Sequence, residues 1–215
     1  MKSGKTALLI IALIIVSSIL FYFIPIKSLI GRLPFVNTFY NNTTIEVVSQ
    51  HSKSKVWING KEYGETPVTV ENLPEGEYLV ELQRITTEEA FYKKQSFNIE
   101  LSKNTTARVD IEIGPDDNIN GTILYYTPVK VVEKGKGHVT VISNIENAKI
   151  YIDKDLMDTK SIANHLLNTG QYEVKVYAHG YEAIEIPILV REGYQLNLKT
   201  FHFPIPILLE EEQNE

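Results

Sequence analysis

Cysteine is absent from the 215 residues, which removes disulfides, thiolate metal sites and cysteine nucleophiles together. The five histidines, at positions 51, 138, 165, 179 and 202, form no His-x-x-x-His pair and no His-Glu-x-x-His, and no Gly-x-Ser-x-Gly occurs. Neither a zinc-binding helix nor a nucleophile elbow is on offer. The expectation is a protein that is not an enzyme and carries no cofactor. Basic excess is also lacking: 27 acidic residues face 21 basic ones, and Lys2, Lys5, Lys27 and Arg32 all precede the first acid, Glu46. Beyond residue 32 the chain is therefore more acidic than its net charge of −6 suggests, and it would repel nucleic acid and other polyanions. No convincing helical period occurs after the first two dozen residues.

What is present begins with a charge-free run. Ala7 to Ile24 covers eighteen residues, thirteen of them Leu, Ile, Val or Phe. At about 1.5 Å per residue a helix of that length spans roughly 27 Å, close to a hydrocarbon core. Those thirteen side chains favour insertion by about 4 to 8 kcal/mol. Phe21, Tyr22 and Phe23 stand where an aromatic belt belongs, and Pro25 closes the helix. Cleavage after Ser18 would leave an apolar hexapeptide, Ile19 to Ile24, at the new N-terminus, so an uncleaved anchor is the better reading. That gives a basic tail 1–6, a single transmembrane helix 7–24 in lipid, and a juxtamembrane connector 25–43. The C-terminal domains are then expected outside the cytoplasm, at the cell membrane.

The remainder repeats itself. "NLPEGEYLVEL" at 72–82 is answered by "LLNTGQYEVKV" at 166–176, and a shift of 94 residues aligns Thr44–Leu82 with His138–Val176 without a gap. Ile45, Val47, Val56, Ile58 and Val80 fall on Val139, Val141, Ile150, Ile152 and Val174. After five extra residues in the first copy, Tyr92, Phe97, Ile99, Leu101 and Val109 meet Tyr181, Ile186, Ile188, Val190 and Leu198. Six period-two runs in the first copy, punctuated by Asn59-Gly60, Gly64 and Pro74-Glu75-Gly76, predict short antiparallel strands. The fold class is all-β: two small antiparallel β-sandwich domains in tandem, at 44–114 and 138–203. A connector, 115–137, belongs to neither copy; its apolar runs suggest an added strand or a stiff spacer. An acidic tail, 204–215, follows.

"VWINGKEYGETPVTVENLPEGEYLVEL" resembles the PEGA domain, a β-sandwich module with a Pro-Glu-Gly turn and an upstream Gly-x-Thr-Pro. Gly64, Thr66, Pro67, Pro74, Glu75 and Gly76 carry the likeness, while Glu77 departs from the family's alanine. The second copy keeps Gly170, Tyr172 and a His179-Gly180-Tyr181 similar to the family's Gly-Tyr, but has Asp158, Lys160 and Ser161 in place of the Gly-x-Thr-Pro residues. The resemblance implies a fold and a setting, prokaryotic surface-layer and membrane-anchored proteins, and no catalytic residues. Gly64, Pro67, Gly76, Gly170 and Gly180 are expected as structural turn residues.

Two candidate sites remain. Asp116, Asn118 and Asn120 fit the first half of a calcium loop, but Thr127 stands where the bidentate glutamate belongs, and a solvated turn accounts for them as well. Trp57 and Tyr151 occupy equivalent positions on the faces opposite the core pairs, where aromatics either bind a sugar or anchor a protein when exposed, or pack beneath a neighbouring loop, an edge or the other repeat. The functional expectation is a membrane-anchored surface protein displaying two β-sandwiches for envelope structure or for binding a protein or glycan. The alternative is an accessory subunit that positions a separate membrane enzyme or transporter.

Overall fold

Residues 43–206 are described by a computed structural model. The tail 1–6, the membrane helix 7–24, the connector 25–43 apart from Thr43, and the acidic tail beyond Pro206 lie outside the described residues. Among the described residues no helix is long and apolar enough to cross a membrane. A 3-10 turn, Glu89–Phe91, occupies the insertion of the first copy.

In the first copy the strands are β1 (Thr44–Val48), β2 (Ser54–Ile58), β3 (Lys61–Glu65), β4 (Val68–Val70), β5 (Gly76–Arg84), β6 (Gln95–Leu101) and β7 (Thr106–Ile113). Next comes β8 (Ile119–Pro128). The second copy supplies β9 (Lys136–Ser143), β10 (Lys149–Ile152), β11 (Asp155–Thr159), β12 (Ser161–Asn168), β13 (Gly170–Tyr177), β14 (Ile184–Val190) and β15 (Tyr194–Phe201). Each copy thus has one strand more than its apolar alternation predicts. The unforeseen strand is β3, "KEYGE", whose single apolar side chain gives no alternation to read; it is held as an edge strand by hydrogen bonds to β2 alone.

Three sheets result among the described residues. A seven-stranded central sheet has the order β12-β9-β15-β8-β7-β1-β4, and two four-stranded flanking sheets have the orders β3-β2-β5-β6 and β11-β10-β13-β14. One core gathers Ile45, Val47, Val56, Val80, Leu82, Val109 and Ile111, with Ile123 from β8. The other gathers Val139, Val141, Ile150, Val174, Val176, Leu196 and Leu198, with Tyr126 from β8. Partly buried Tyr125 packs on the first core and Leu124 on the second. Neighbouring residues of a strand point to opposite faces, so the two flanking sheets cover opposite faces of the central sheet and meet only across β8.

One expectation is corrected here. The pairing is not purely antiparallel, because β1 lies parallel to β7 and β9 parallel to β15. The chain reverses at every turn, so the first and seventh strands of a copy run the same way, and both are placed side by side in the central sheet. Period-two patterning shows faces and says nothing of partners. Of the two readings of the connector 115–137, the added strand is the one present: β8 pairs antiparallel with β7 on one side and β15 on the other, and contributes to both cores.

At Gly121, paired with Ile111, β8 approaches β7 too closely for a side chain. Its φ is +128°, and an added Cβ would lie 2.0 Å from the Asp110 carbonyl oxygen. Gly121→Ala is therefore expected to destabilise the protein by about 2 to 4 kcal/mol, in a single urea transition that takes both repeats together. Gly76 also has positive φ (+146°) but open space around it, so Gly76→Ala should cost only the backbone strain, about 1 to 2 kcal/mol. Equal losses from the two variants would place the constraint elsewhere.

Candidate functional site

Trp57 sits half-buried on the outer face of the first flanking sheet. It pairs across strands with Glu62 and Glu81. The Lys94 ammonium lies 4.3 Å from the indole centroid and 2.7 Å from Glu81, so a cation and its counter-ion cover the ring. Tyr151 is on the outer face of the other flanking sheet, paired with Lys175 and Leu156, beside a shallow depression shared with Tyr177, Asp153, Glu173 and Glu185. Because the flanking sheets cover opposite faces, the two aromatics point in opposite directions. They do not form one patch.

Asp116, Asn118 and Asn120 do not converge either. The Asp116 N–H donates to Phe91 O at 2.7 Å, and Asn118 closes a turn through Asn118 N to Pro115 O (3.2 Å) and Gly114 N to Asn118 O (2.8 Å). Asn120 is in β8 and donates to the Glu182 carboxylate. Among the described residues no three His, Asp or Glu side chains are grouped to hold a metal. Gly64, Gly76, Gly170 and Gly180 all have positive φ, and the Thr66–Pro67 peptide bond is cis.

A different feature emerges from the sheet edges. Each flanking sheet has two edge strands, β3 and β6 in the first and β11 and β14 in the second, and the equivalent pair β6 and β14 differ. Leu79 and Asn59 exchange hydrogen bonds, Leu79 N to Asn59 Oδ1 at 2.8 Å and Asn59 N to Leu79 O at 2.9 Å. The backbone groups of Leu79 thus face away from β6, and its partner Asn98 must direct its own N–H and C=O outward. The same geometry recurs where Glu173 bonds Asp153 and faces Pro187. The outward sets are Ser96, Asn98 and Glu100 on β6, and Glu185, Pro187 and Leu189 on β14.

The two edges differ in chemistry. On β14, Pro187 has no N–H to offer, and the Leu189 carbonyl already accepts the Tyr126 hydroxyl at 2.7 Å. Proline and a capped carbonyl close that edge to a further strand. On β6, no described residue pairs with the outward groups of Ser96, Asn98 and Glu100. Beyond β6 the central sheet continues with β15 and β9, whose face here is covered by no further sheet among the described residues. That floor carries Gln195, Asn197, Thr140, Lys199 and Ile142; Gln195 Nε2 reaches Thr140 Oγ1 (3.2 Å) and Asn197 Nδ2 reaches Thr127 Oγ1 (3.1 Å). Phe97 and Phe201 pack at a tilt in the corner, ring centroids 5.8 Å apart, and Ile142 is 45% exposed. Aligning the copies puts Asn98 opposite Pro187, and that single mismatch was the sequence signal for the open edge.

The corresponding ledge beside β14 is charged and self-satisfied. Arg108 bonds Glu46 at 3.0 Å and Asp110 at 3.3 Å, and Asp110 also lines a depression of about 650 Å³ with Arg84, Glu112 and Glu182. Burial would raise the Glu112 carboxyl, but hydrogen bonds from the Ser52 and His51 backbone and the Ser49 hydroxyl outweigh it and hold the group below its ordinary value of 4.5. Nearby His202 is buried, its ring nitrogens meeting Glu182 O (2.8 Å) and Thr200 Oγ1 (3.0 Å). Desolvation keeps its pKa below the ordinary 6.5, against the opposing bond to Glu182.

The family model described as PEGA domain matches residues 42–117 and 136–202, well over half of the chain, and the chain belongs to the PEGA domain family. No curated protein matches it.

Both shifted groups make acid destabilising, in different windows. Below pH 6.5 the unfolded histidine gains a proton before folded His202 does, so stability falls as pH drops from 6.5 toward the lower folded value. Glu112 contributes fully above 4.5 and loses its contribution as pH falls through its depressed folded value. Urea midpoints measured across this range should fall in two stages, and His202→Gln should abolish the first while leaving the second.

Proposed function

We propose that this PEGA-domain protein is a non-enzymatic binding module of the prokaryotic cell surface, anchored by residues 7–24, that takes an extended segment of a partner protein along β6. The observation that carries this reading is the asymmetry between two otherwise equivalent edges: one is closed by Pro187 and the Tyr126 hydroxyl, the other presents the outward groups of Ser96, Asn98 and Glu100 with no partner among the described residues. A strand added beside β6 would extend the first flanking sheet over the floor of β15 and β9. Its main chain would supply affinity through ladder hydrogen bonds, and the side chains facing the floor would supply selectivity. Ile142 and the Phe97/Phe201 corner suit an apolar residue, and Lys199 suits an acidic one two positions along. The anchor reading rests on the charge-free run Ala7–Ile24, and the surface setting on the family resemblance. Should the partner be a membrane enzyme or transporter, the same edge makes the chain an accessory subunit.

The repeat itself supplies the test. Asn98→Pro places in β6 the residue that β14 carries at the equivalent position, so the fold should tolerate it with a melting temperature close to that of the parent. The variant should lose the proteins that the parent retains in crosslinked pull-downs from membranes, because the central outward N–H is gone. Retention of the same partners by Asn98→Pro, or recovery of glycan alone by the parent, would overturn the strand-addition reading.

A further inference from the structure

The four strands β1, β7, β9 and β15 run one way in the central sheet, and β4, β8 and β12 run the other. Thr43, where the described chain begins, therefore shares one end of the sheet with the loop joining β8 to β9. Hydrogen bonds connect the two places continuously. Asn104 N donates to Thr43 Oγ1, Arg191 Nη1 donates to Asn104 O, and Val129 N donates to Gly193 O. The β8–β9 loop reads Val129-Lys130-Val131-Val132-Glu133-Lys134-Gly135. Its two central valines are the most outward apolar side chains of that end, Val131 being 75% and Val132 55% exposed. The loop is not loose: Thr169 N donates to Gly135 O at 2.9 Å, Gly135 N donates to the Glu192 carboxylate at 2.9 Å, and Lys136 pairs with Glu133 at 3.1 Å. Lys130 and Lys134 stand exposed beside the valines without an ion-pair partner among the described residues.

We propose that the Val129–Gly135 loop is a second contact with the lipid surface, Val131 and Val132 entering the interface while Lys130 and Lys134 meet anionic headgroups. A rigid tip with paired apolar side chains and flanking lysines has the chemistry of an interfacial insertion rather than of a sugar or strand site. This inference rests on the anchor reading of residues 7–24. Eighteen residues lie between Ile24 and Thr43, a reach of at most about 65 Å when extended, so the anchor confines the Thr43 end near the bilayer without pressing it there. The valine loop supplies the contact that would orient it.

The chain contains no native cysteine, so a single introduced thiol reports without background. Full-length Val131→Cys, labelled with a fluorophore, is reconstituted in vesicles of mixed zwitterionic and anionic phospholipid, with Asn147→Cys at the opposite end as comparison. The label at 131 should be quenched by a lipid carrying a shallow nitroxide and shielded from an aqueous quencher; the label at 147 should behave the other way. Val132→Asp in the same background should reverse the shielding at 131. A label at 131 as open to the aqueous quencher as that at 147, in chain that resists carbonate extraction, would overturn the loop contact and leave the anchor standing. Shielding from both quenchers would mean a protein covers the loop, which also overturns it. Extraction by carbonate would remove the anchor reading, and the freed chain failing to show lipid quenching on added vesicles would remove this one too.

Discussion

β8 is the constraint on which the molecule depends. A strand buried on both faces must place successive residues in different cores, and Ile123, Leu124, Tyr125 and Tyr126 do so by alternation. Each large side chain buried this way contributes about 1.5 to 3 kcal/mol, so loosening one strand weakens both halves. The tight approach at Gly121 follows from the same role. A strand with a seven-stranded sheet continuing on either side and a flanking sheet across each face has no free surface to yield into.

The relation between the repeats follows from that strand. With β7 and β15 both antiparallel to β8 and the strand order reversed outward from it, the copies are related by an approximate two-fold rotation about the β8 direction. Such a rotation inverts the faces of the central sheet. It explains why equivalent residues such as Trp57 and Tyr151 look in opposite directions, and why each copy overhangs bare sheet belonging to the other. The two ledges that result are related in shape and unlike in chemistry: ion pairs around Arg108 on one, an amide network and Lys199 on the other.

Much of the fold was legible because half-buried strands write their faces into the chain. Val80 and Leu82 alternate with Leu79 and Glu81 in the sequence, and the same residues alternate between core and solvent in the structure. The register of the repeat also held, Asn59 and Asp153 playing one role at turns 94 residues apart. Partners were not legible, since pairing depends on how the chain is routed between sheets, and so the parallel pairs went unseen. β3 escaped because an edge strand needs no apolar alternation. The candidate site was the least legible part. Residue type drew attention to Trp57, whereas the open edge is made of main-chain groups that every residue carries. Only the contrast between Asn98 and Pro187 distinguishes one edge from the other.

The parallel pairing of β1 with β7 also decides how the fold bears tension. A pull at Thr43 acts along the axis of β1, whose five residues pair with β7 on one side and whose middle three pair with β4 on the other. Force in that direction loads the rungs in shear, all at once, instead of peeling them singly. Had β1 been an edge strand drawn off sideways, the rungs would open in succession under far smaller load. A protein tethered through its first strand and gripped along β6 would therefore hold as a mechanical link, resisting extension at the point where the chain enters its fold.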